Sequence, residues 1–110
     1  MAKMTVNGQR LRAQLETLAD IARTPEGICR LSYSDSFWKS NDYVAQLMRE
    51  AGMTVNTNPA GNVVGTYPGR SSRKITVGSH IDSVVNGGMF DGCLGVLAGI
   101  EAVRTLSENG

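Results

Sequence analysis

The stretch GSHIDSVVNGGMFDG, residues 78–92, holds the side chains best suited to chemistry in this sequence. It contains the single histidine of the chain, His80, with Asp82 two positions later and Asp91 beyond a glycine-rich loop. An imidazole near two carboxylates can be a metal ligand, a catalytic base, or a buried ring with no chemistry. The secondary-structure elements that carry these residues help to distinguish the three interpretations.

Residues 75–82 are predicted to form a strand, because the run RKITVGSHID is rich in β-branched residues and bounded by turn residues. Side chains alternate between the two faces of a strand, so His80 and Asp82 point one way and Ser79 the other. Ser79 is therefore not expected to serve as a nucleophile activated by His80. Asp82 could instead accept a proton from one imidazole nitrogen, leaving the lone pair of the other nitrogen for a cation. Asp82 could equally be only a hydrogen-bond partner or a turn former.

The loop VVNGGMFDG can turn sharply and return Asp91 toward the carboxyl end of this strand, where ligand sites of open α/β sheets gather. A helix is predicted to follow Asp91 and to run to about Leu106, because LGVLAGIEAVRTL has an apolar helical pattern. Aspartate at a helix start is also a favoured N-cap, which alone would account for Asp91. Capping and metal ligation do not exclude each other.

The cysteines and the remaining glycines are predicted to be structural. Cys29 and Cys93 share no CxxC spacing, so neither a disulfide framework nor a cysteine zinc site is indicated. Cys93 has no second histidine to activate it and is interpreted as a small buried residue. The run GCLGVLAG lacks the spacings of nucleotide-binding loops, and its glycines are expected to permit close packing of the helix.

The positioning elements are predicted from hydrophobic periodicity and capping residues. An amphipathic helix is expected over 7–22, with Asn7 as its N-cap, and a second over 35–51, with Gly52 as its C-terminal cap. GNVVGTYPG and RKITVGSHID are predicted strands joined by GRSSR. This order predicts the α/β class, with a mixed sheet flanked by helices.

Composition narrows the class of protein. The 110 residues allow one domain, and eleven basic against ten acidic residues leave a net charge of +1 without a basic cluster, so no nucleic-acid partner is expected. No apolar run approaches the roughly 20 residues that span a bilayer, and the start MAKMTVNGQR lacks the apolar core of a signal peptide. A cytoplasmic protein without a membrane partner is the expectation.

The string GSHIDSVVNGGMFDGCLGVLAGIEAVRTL resembles the signature of the dinuclear-metal amidohydrolase and exopeptidase family that includes aminoacylases. The pieces RLRAQLETLADIARTPEGICRLSYS, MREAGMTV and AGNVVG are similar, in type and order, to its branch of allantoate amidohydrolases, N-carbamoyl-L-amino-acid hydrolases and β-ureidopropionases. The resemblance implies that His80 is a ligand of one metal, that Asp91 bridges two metals, and that Asp82 orients His80. It implies two divalent ions, zinc or manganese with cobalt or nickel as alternatives, which activate water for attack on a small-molecule amide or ureido carbonyl.

Members of this family are several times longer than this chain. The resemblance therefore implies that residues 1–110 are the amino-terminal portion of the catalytic metal-binding domain, without the rest of that domain and without the lid domain that usually mediates homodimerisation. The parent is expected to hydrolyse linear amides such as allantoate or N-carbamoyl amino acids, and the isolated chain to be inactive. The alternatives are an aminoacylase or dipeptidase of the same family and a noncatalytic α/β module.

Overall fold

The computed structural model describes residues 3–110, which form three helices and two small antiparallel sheets and so confirm the α/β class. The elements in chain order are α1 (Gly8–Ile21), β1 (Arg23–Thr24), β2 (Gly27–Ile28), α2 (Asp35–Glu50), β3 (Thr54–Thr57), β4 (Val63–Thr66) and α3 (Cys93–Glu108). No helix in the described residues is both long enough and apolar enough to cross a membrane.

The first helix begins at its predicted N-cap, and the second ends at its predicted C-terminal glycine. The Asn7 side chain accepts a hydrogen bond from the Arg10 amide at 3.0 Å, and Ser34 Oγ accepts one from the Phe37 amide at 3.3 Å. Each of these bonds satisfies an amide that the first helical turn leaves without a partner. Gly52 follows α2 at a φ of +92°, the backbone conformation that glycine adopts most readily at a helix end.

The three helices share one hydrophobic core. Leu18 of α1 and Leu97 of α3 are completely buried, and Leu47 of α2 is nearly so. The other buried members are Leu15, Val44, Ala51, Met53, Ile81, Cys93 and Ile100. Full burial of a leucine side chain contributes about 1.5–3 kcal/mol, so this cluster is the main source of the stability of the fold.

A buried ion pair joins α1 to α3. Arg10 Nη2 donates to Glu101 Oε1 at 2.7 Å and Arg10 Nε donates to Glu101 Oε2 at 2.8 Å, while Arg10 Nη1 donates to the exposed Glu108 at 2.9 Å. The hydrogen bonds from Arg10 hold the pKa of Glu101 below its usual range, against the opposing effect of burial. Because the Glu101 side chain is only 1% exposed, its charge depends on this partner.

The sheets differ from the sequence prediction. β4 falls inside the predicted strand GNVVGTYPG and pairs with β3, which was not predicted, in a register that places Thr54 opposite Thr66 and Thr57 opposite Val63. The two-residue ladder of β1 and β2 was also not predicted. Both ladders are antiparallel, so a mixed sheet is not assembled within residues 3–110.

The predicted strand over 75–82 is wrong for the described part of the chain, although its backbone follows an extended path. A strand requires a hydrogen-bonded neighbour, and no strand within residues 3–110 pairs with this segment. Ile75 is consequently 96% exposed. Val77 and Ser79 instead lie against Gly99 and Gly95 of α3, where the glycines leave room for them.

Candidate metal-binding site

His80 and Asp82 lie together on the exposed face of the extended segment. His80 Nδ1 is 3.1 Å from the main-chain oxygen of Asp82 and 3.2 Å from its Oδ1. Ser79 points the other way, toward Gly95 of α3. The expected proximity of the imidazole and the Asp82 carboxylate is therefore present. A proton on Nδ1 would be held by Asp82, which leaves Nε2 as the free nitrogen.

Asp91 approaches the other edge of the same imidazole. Its Oδ2 lies 3.7 Å from His80 Nε2, and its side chain is 86% exposed. The interpretation of Asp91 as a helix cap is wrong, because Gly92 is the N-cap of α3 and no side chain bonds the cap. Gly92 has a φ of +71°, which takes the chain past His80 before the helix begins. The position of Asp91 is therefore explained by the path of the loop rather than by capping.

The first half of the loop between the two carboxylates is held by hydrogen bonds to residues 28–30. The amide and carbonyl of Gly87 pair with Ile28 of β2 at 2.8 and 2.9 Å, and the Ser83 amide donates to the Arg30 carbonyl at 2.8 Å. These bonds hold residues 83–87 against the strand that follows α1. The return of Asp91 toward His80 therefore rests on contacts with an earlier part of the chain.

Gly92 allows the imidazole to lie against the backbone. A Cβ atom at position 92 would come within 3.0 Å of three His80 atoms, the carbonyl oxygen, Cε1 and Nδ1. Real Cβ atoms essentially never approach so closely, so any other residue at position 92 would displace the ring or the chain. The dipeptide Asp91–Gly92 thus positions both the carboxylate and the histidine that it faces. Gly92 was not predicted from the sequence as part of the site, although its place directly after Asp91 is a signal for it.

The donor atoms of His80 and Asp91 fit a single cation between them. Two atoms bonded at about 2.1 Å to one tetrahedral zinc ion lie about 3.4 Å apart, close to the observed 3.7 Å between Nε2 and Oδ2. An imidazolium with protons on both nitrogens would also satisfy both carboxylates. No group of three or more His, Cys, Asp or Glu side chains that could hold a metal is present in residues 3–110. A complete site would therefore need further ligands from outside this part of the chain.

A buried arginine lies directly behind the site. The guanidinium of Arg30 donates from Nε to Ser40 Oγ at 2.6 Å, from Nη1 to the Ile81 carbonyl at 3.1 Å, and from Nη2 to the Leu18 carbonyl. Arg30 is 1% exposed, and burial lowers its pKa. Arg30 was not predicted from the sequence as part of the site. Its signal was the two-residue alternation that places Arg30 on the same face as the buried Ile28.

Cys93 contacts this arginine from the first turn of α3. Arg30 Nη1 lies 3.4 Å from Cys93 Sγ, and the thiol lies 3.8 Å from the Ile81 carbonyl oxygen. Burial raises the pKa of the Cys93 thiol, and the neighbouring Arg30 only partly opposes this effect. Cys93 is buried and both cysteines are free, so the interpretation of Cys93 as a buried structural residue is confirmed.

An open cavity of about 320 Å³ runs along residues 79–82. Its opposite walls come from α2, through Val44 and Met48, and from residues 60–63 at the start of β4. The cavity separates β4 from the extended segment.

The sequence of this chain is similar to those of known proteins. Residues 62–110 match peptidase family M28. The chain is 44% identical over 108 residues to an N-carbamoyl-L-amino acid amidohydrolase of Geobacillus stearothermophilus, covering 96% of this chain and 26% of that protein. It is 32% identical over 112 residues to a ureidoglycolate hydrolase of Arabidopsis thaliana, covering 99% of this chain and 24% of that protein.

The fold agrees with the sequence matches. A hydantoinase/carbamoylase family amidase from Burkholderia ambifaria superposes with a TM-score of 0.91 at 40% identity, covering 97% of this chain and 27% of that structure. The chain thus spans about a quarter of the length of the relatives that it matches. The resemblance predicted from the sequence is thereby confirmed: over nearly its whole length, this chain is related to the hydantoinase/carbamoylase amidases and the N-carbamoyl-L-amino-acid amidohydrolases.

Proposed function

We propose that this chain supplies part of the metal centre of a hydrolase that cleaves linear amide C–N bonds. The observation that carries the proposal is the placement of His80 Nε2 and Asp91 Oδ2 3.7 Å apart on an exposed edge, with His80 Nδ1 beside Asp82. Relatives named for carbamoyl and ureido substrates support the reaction class. Residues 1–110 would form the amino-terminal portion of the catalytic domain.

Each of the three side chains has one proposed role. His80 would hold a divalent ion through Nε2, and Asp91 would be a shared ligand of that ion and a second one. Asp82 holds the proton of His80 Nδ1, which fixes the tautomer and turns Nε2 toward the ion. The ions, zinc or manganese with cobalt or nickel as alternatives, would polarise the scissile carbonyl and lower the pKa of bound water.

The number of metal ligands indicates which part of the site this chain supplies and which part the rest of the protein supplies. A catalytic zinc ion takes about three protein ligands, and His80 with Asp91 provides two. The general base and the other ligands are expected in sequence outside this chain. The isolated 110 residues should therefore bind zinc weakly and release no ammonia from N-carbamoyl amino acids or allantoate.

The test uses the full-length protein that contains this chain. It should release ammonia from at least one of N-carbamoyl-L-amino acids, allantoate and ureidoglycolate, should lose activity with a chelator, and should regain it with zinc or manganese. His80→Ala and Asp91→Asn should abolish turnover, whereas Asp82→Asn should reduce it by about 10- to 100-fold. Full activity in the chelated protein, or in the Asp91→Asn variant, would contradict the proposal.

A second candidate is a peptidase or aminoacylase, favoured by the match of residues 62–110 to peptidase family M28. The same full-length protein, assayed with dipeptides and N-acyl amino acids, separates the two substrate classes. A protein that binds metal but cleaves none of these substrates would support the noncatalytic module instead. Sedimentation of the full-length protein would test the expected homodimer.

A further inference from the structure

We infer that Arg30 is a positioning residue for the metal-binding side chains, an inference that rests on the proposed function for its role in the reaction. The guanidinium donates to the carbonyl of Ile81, the residue between His80 and Asp82, at 3.1 Å. The same nitrogen, Nη1, lies 3.4 Å from the sulfur of Cys93, two residues after Asp91. One side chain thus joins the two segments that carry the proposed ligands.

The backbone of Arg30 adds a second attachment to the same region. Its amide donates to Ser83 Oγ at 2.8 Å, and its carbonyl accepts a hydrogen bond from the Ser83 amide, also at 2.8 Å. Ser83 immediately follows Asp82. The extended segment has no strand neighbour in residues 3–110, so these bonds replace the sheet ladder that would otherwise fix its position.

The guanidinium is held from the opposite side by the helical core. Its Nε donates to Ser40 of α2 at 2.6 Å, and its Nη2 donates to the Leu18 carbonyl of α1. No aspartate or glutamate within residues 3–110 forms an ion pair with Arg30. A buried cation without a carboxylate partner is costly, so the geometry that Arg30 imposes on its acceptors explains its place better than a gain in stability does.

A lysine at position 30 cannot make the same hydrogen bonds at the same time. The guanidinium is a planar fork of five N–H donors that reaches several acceptors at once, whereas the ammonium group is a compact point charge with three donors. We therefore expect Arg30→Lys to keep the charge but lose the simultaneous contacts with Ile81, Cys93 and the two helices. His80 would then no longer be held in one orientation against Asp82.

The test reads His80 directly, because it is the single histidine of the chain. In protein labelled with ¹⁵N-histidine, long-range ¹H–¹⁵N spectra at pH 8 report which ring nitrogen carries the proton, without any metal. The unmodified protein should show one tautomer, protonated at Nδ1. Arg30→Lys and Arg30→Met should show mixed tautomers and bind zinc at least about 10-fold more weakly.

Ser40→Ala is the matched control. It removes a contact of the same guanidinium on the side away from the site, so it should lower the melting temperature while leaving the His80 tautomer and zinc affinity unchanged. If Arg30→Met does not fold by circular dichroism, Arg30→Lys and Ser83→Ala provide the test. Ser83→Ala leaves the Arg30 side chain in place and removes the hydroxyl that accepts from the Arg30 amide and donates to the Ile28 and Val84 carbonyls.

A folded Arg30→Met or Arg30→Lys variant with the tautomer and zinc affinity of the unmodified protein would overturn the inference and leave Arg30 with a structural role. Rescue of both properties by lysine would also overturn it, because charge alone would then suffice. If the unmodified protein binds no zinc, the proposed function fails, yet the metal-free tautomer still decides whether Arg30 positions His80.

Discussion

The helical core and the site segment, residues 73–92, are stabilised in different ways. The core is built from apolar side chains that α1, α2 and α3 bury against one another, and it contains Leu18 and Leu97, which are fully buried. The site segment exposes Ile75, Val84 and Val85. It is positioned by hydrogen bonds with Arg30 and β2 and by the burial of Ile81 in the core. Many small apolar contacts thus stabilise the fold, whereas a few specific polar contacts place the candidate ligands.

The largest expected difference in the free energy of unfolding is between substitution of a core leucine and substitution of an isoleucine of the site segment. Leu18→Ala should lower the free energy of unfolding by about 2–5 kcal/mol, because it leaves a cavity in the fully buried cluster. Ile75→Ala, at a 96% exposed position, should change it by no more than about 0.5 kcal/mol. Urea unfolding followed by circular dichroism measures both values, and equal losses would contradict the contrast.

The next largest loss of stability is expected from removing the buried ion pair between Arg10 and Glu101. Glu101→Gln should cost about 1.5–3 kcal/mol at neutral pH, because it removes the charge from the bonds with Arg10. Glu108→Gln, which alters the exposed carboxylate of the same network, should cost less.

The contribution of this pair to the stability of the fold should decrease toward acid pH. The pKa of Glu101 is lowered in the folded state, so its contribution to stability is complete above the unfolded value of about 4.5 and is lost as the pH falls through the lower folded value. The difference in unfolding free energy between the unmodified protein and Glu101→Gln should shrink below about pH 4.5. A difference that grows toward acid pH would contradict the assignment.

Gly92→Ala should have a smaller effect on stability but a specific effect on the site. The added Cβ meets His80 at an unfavourable φ of +71°, so we expect a loss of about 1–2 kcal/mol and a displaced imidazole. Gly88→Ala is the matched control, because nothing lies within 4 Å of a Cβ at that position. The His80 ¹⁵N spectrum should change only in Gly92→Ala, and an unchanged spectrum would show that the close contact does not position the ring.

The two cysteines should differ in how fast they react with a thiol reagent. Cys93 is buried and burial raises its pKa, whereas Cys29 is partly exposed. A thiol reagent such as dithiobisnitrobenzoate should modify Cys29 first in the native protein, and a Cys29→Ser variant should react slowly until denaturant is added. Rapid reaction of Cys93 without denaturant would contradict its burial behind the site segment.

The sequence predicted the parts of the fold that depend on local rules. The helix start at Asn7 and the helix end at Gly52 follow from capping residues and backbone preference, which neighbouring residues determine. The alternation that brings His80 to Asp82 is also local. These features were predicted correctly because they depend on only a few consecutive positions.

The remaining features depend on distant parts of the chain. A strand over residues 75–82 requires a neighbouring strand, and none pairs with it among residues 3–110. Arg30 acquires its role from four acceptors that lie 10 to 63 positions away. Asp91 is not the N-cap because Gly92 takes that position, with a positive φ and close to His80. Composition and periodicity do not contain this information.

Titration of the ¹⁵N-histidine-labelled protein with zinc tests the assignment of His80 and Asp91 most directly. We predict a shift of His80 Nε2 with the proton retained on Nδ1, saturating at high zinc concentration because two ligands bind weakly. Asp91→Asn should need at least about 10-fold more zinc for the same shift. Unmoved His80 signals at saturating zinc, or an Asp91→Asn variant that titrates like the unmodified protein, would contradict the metal-binding assignment.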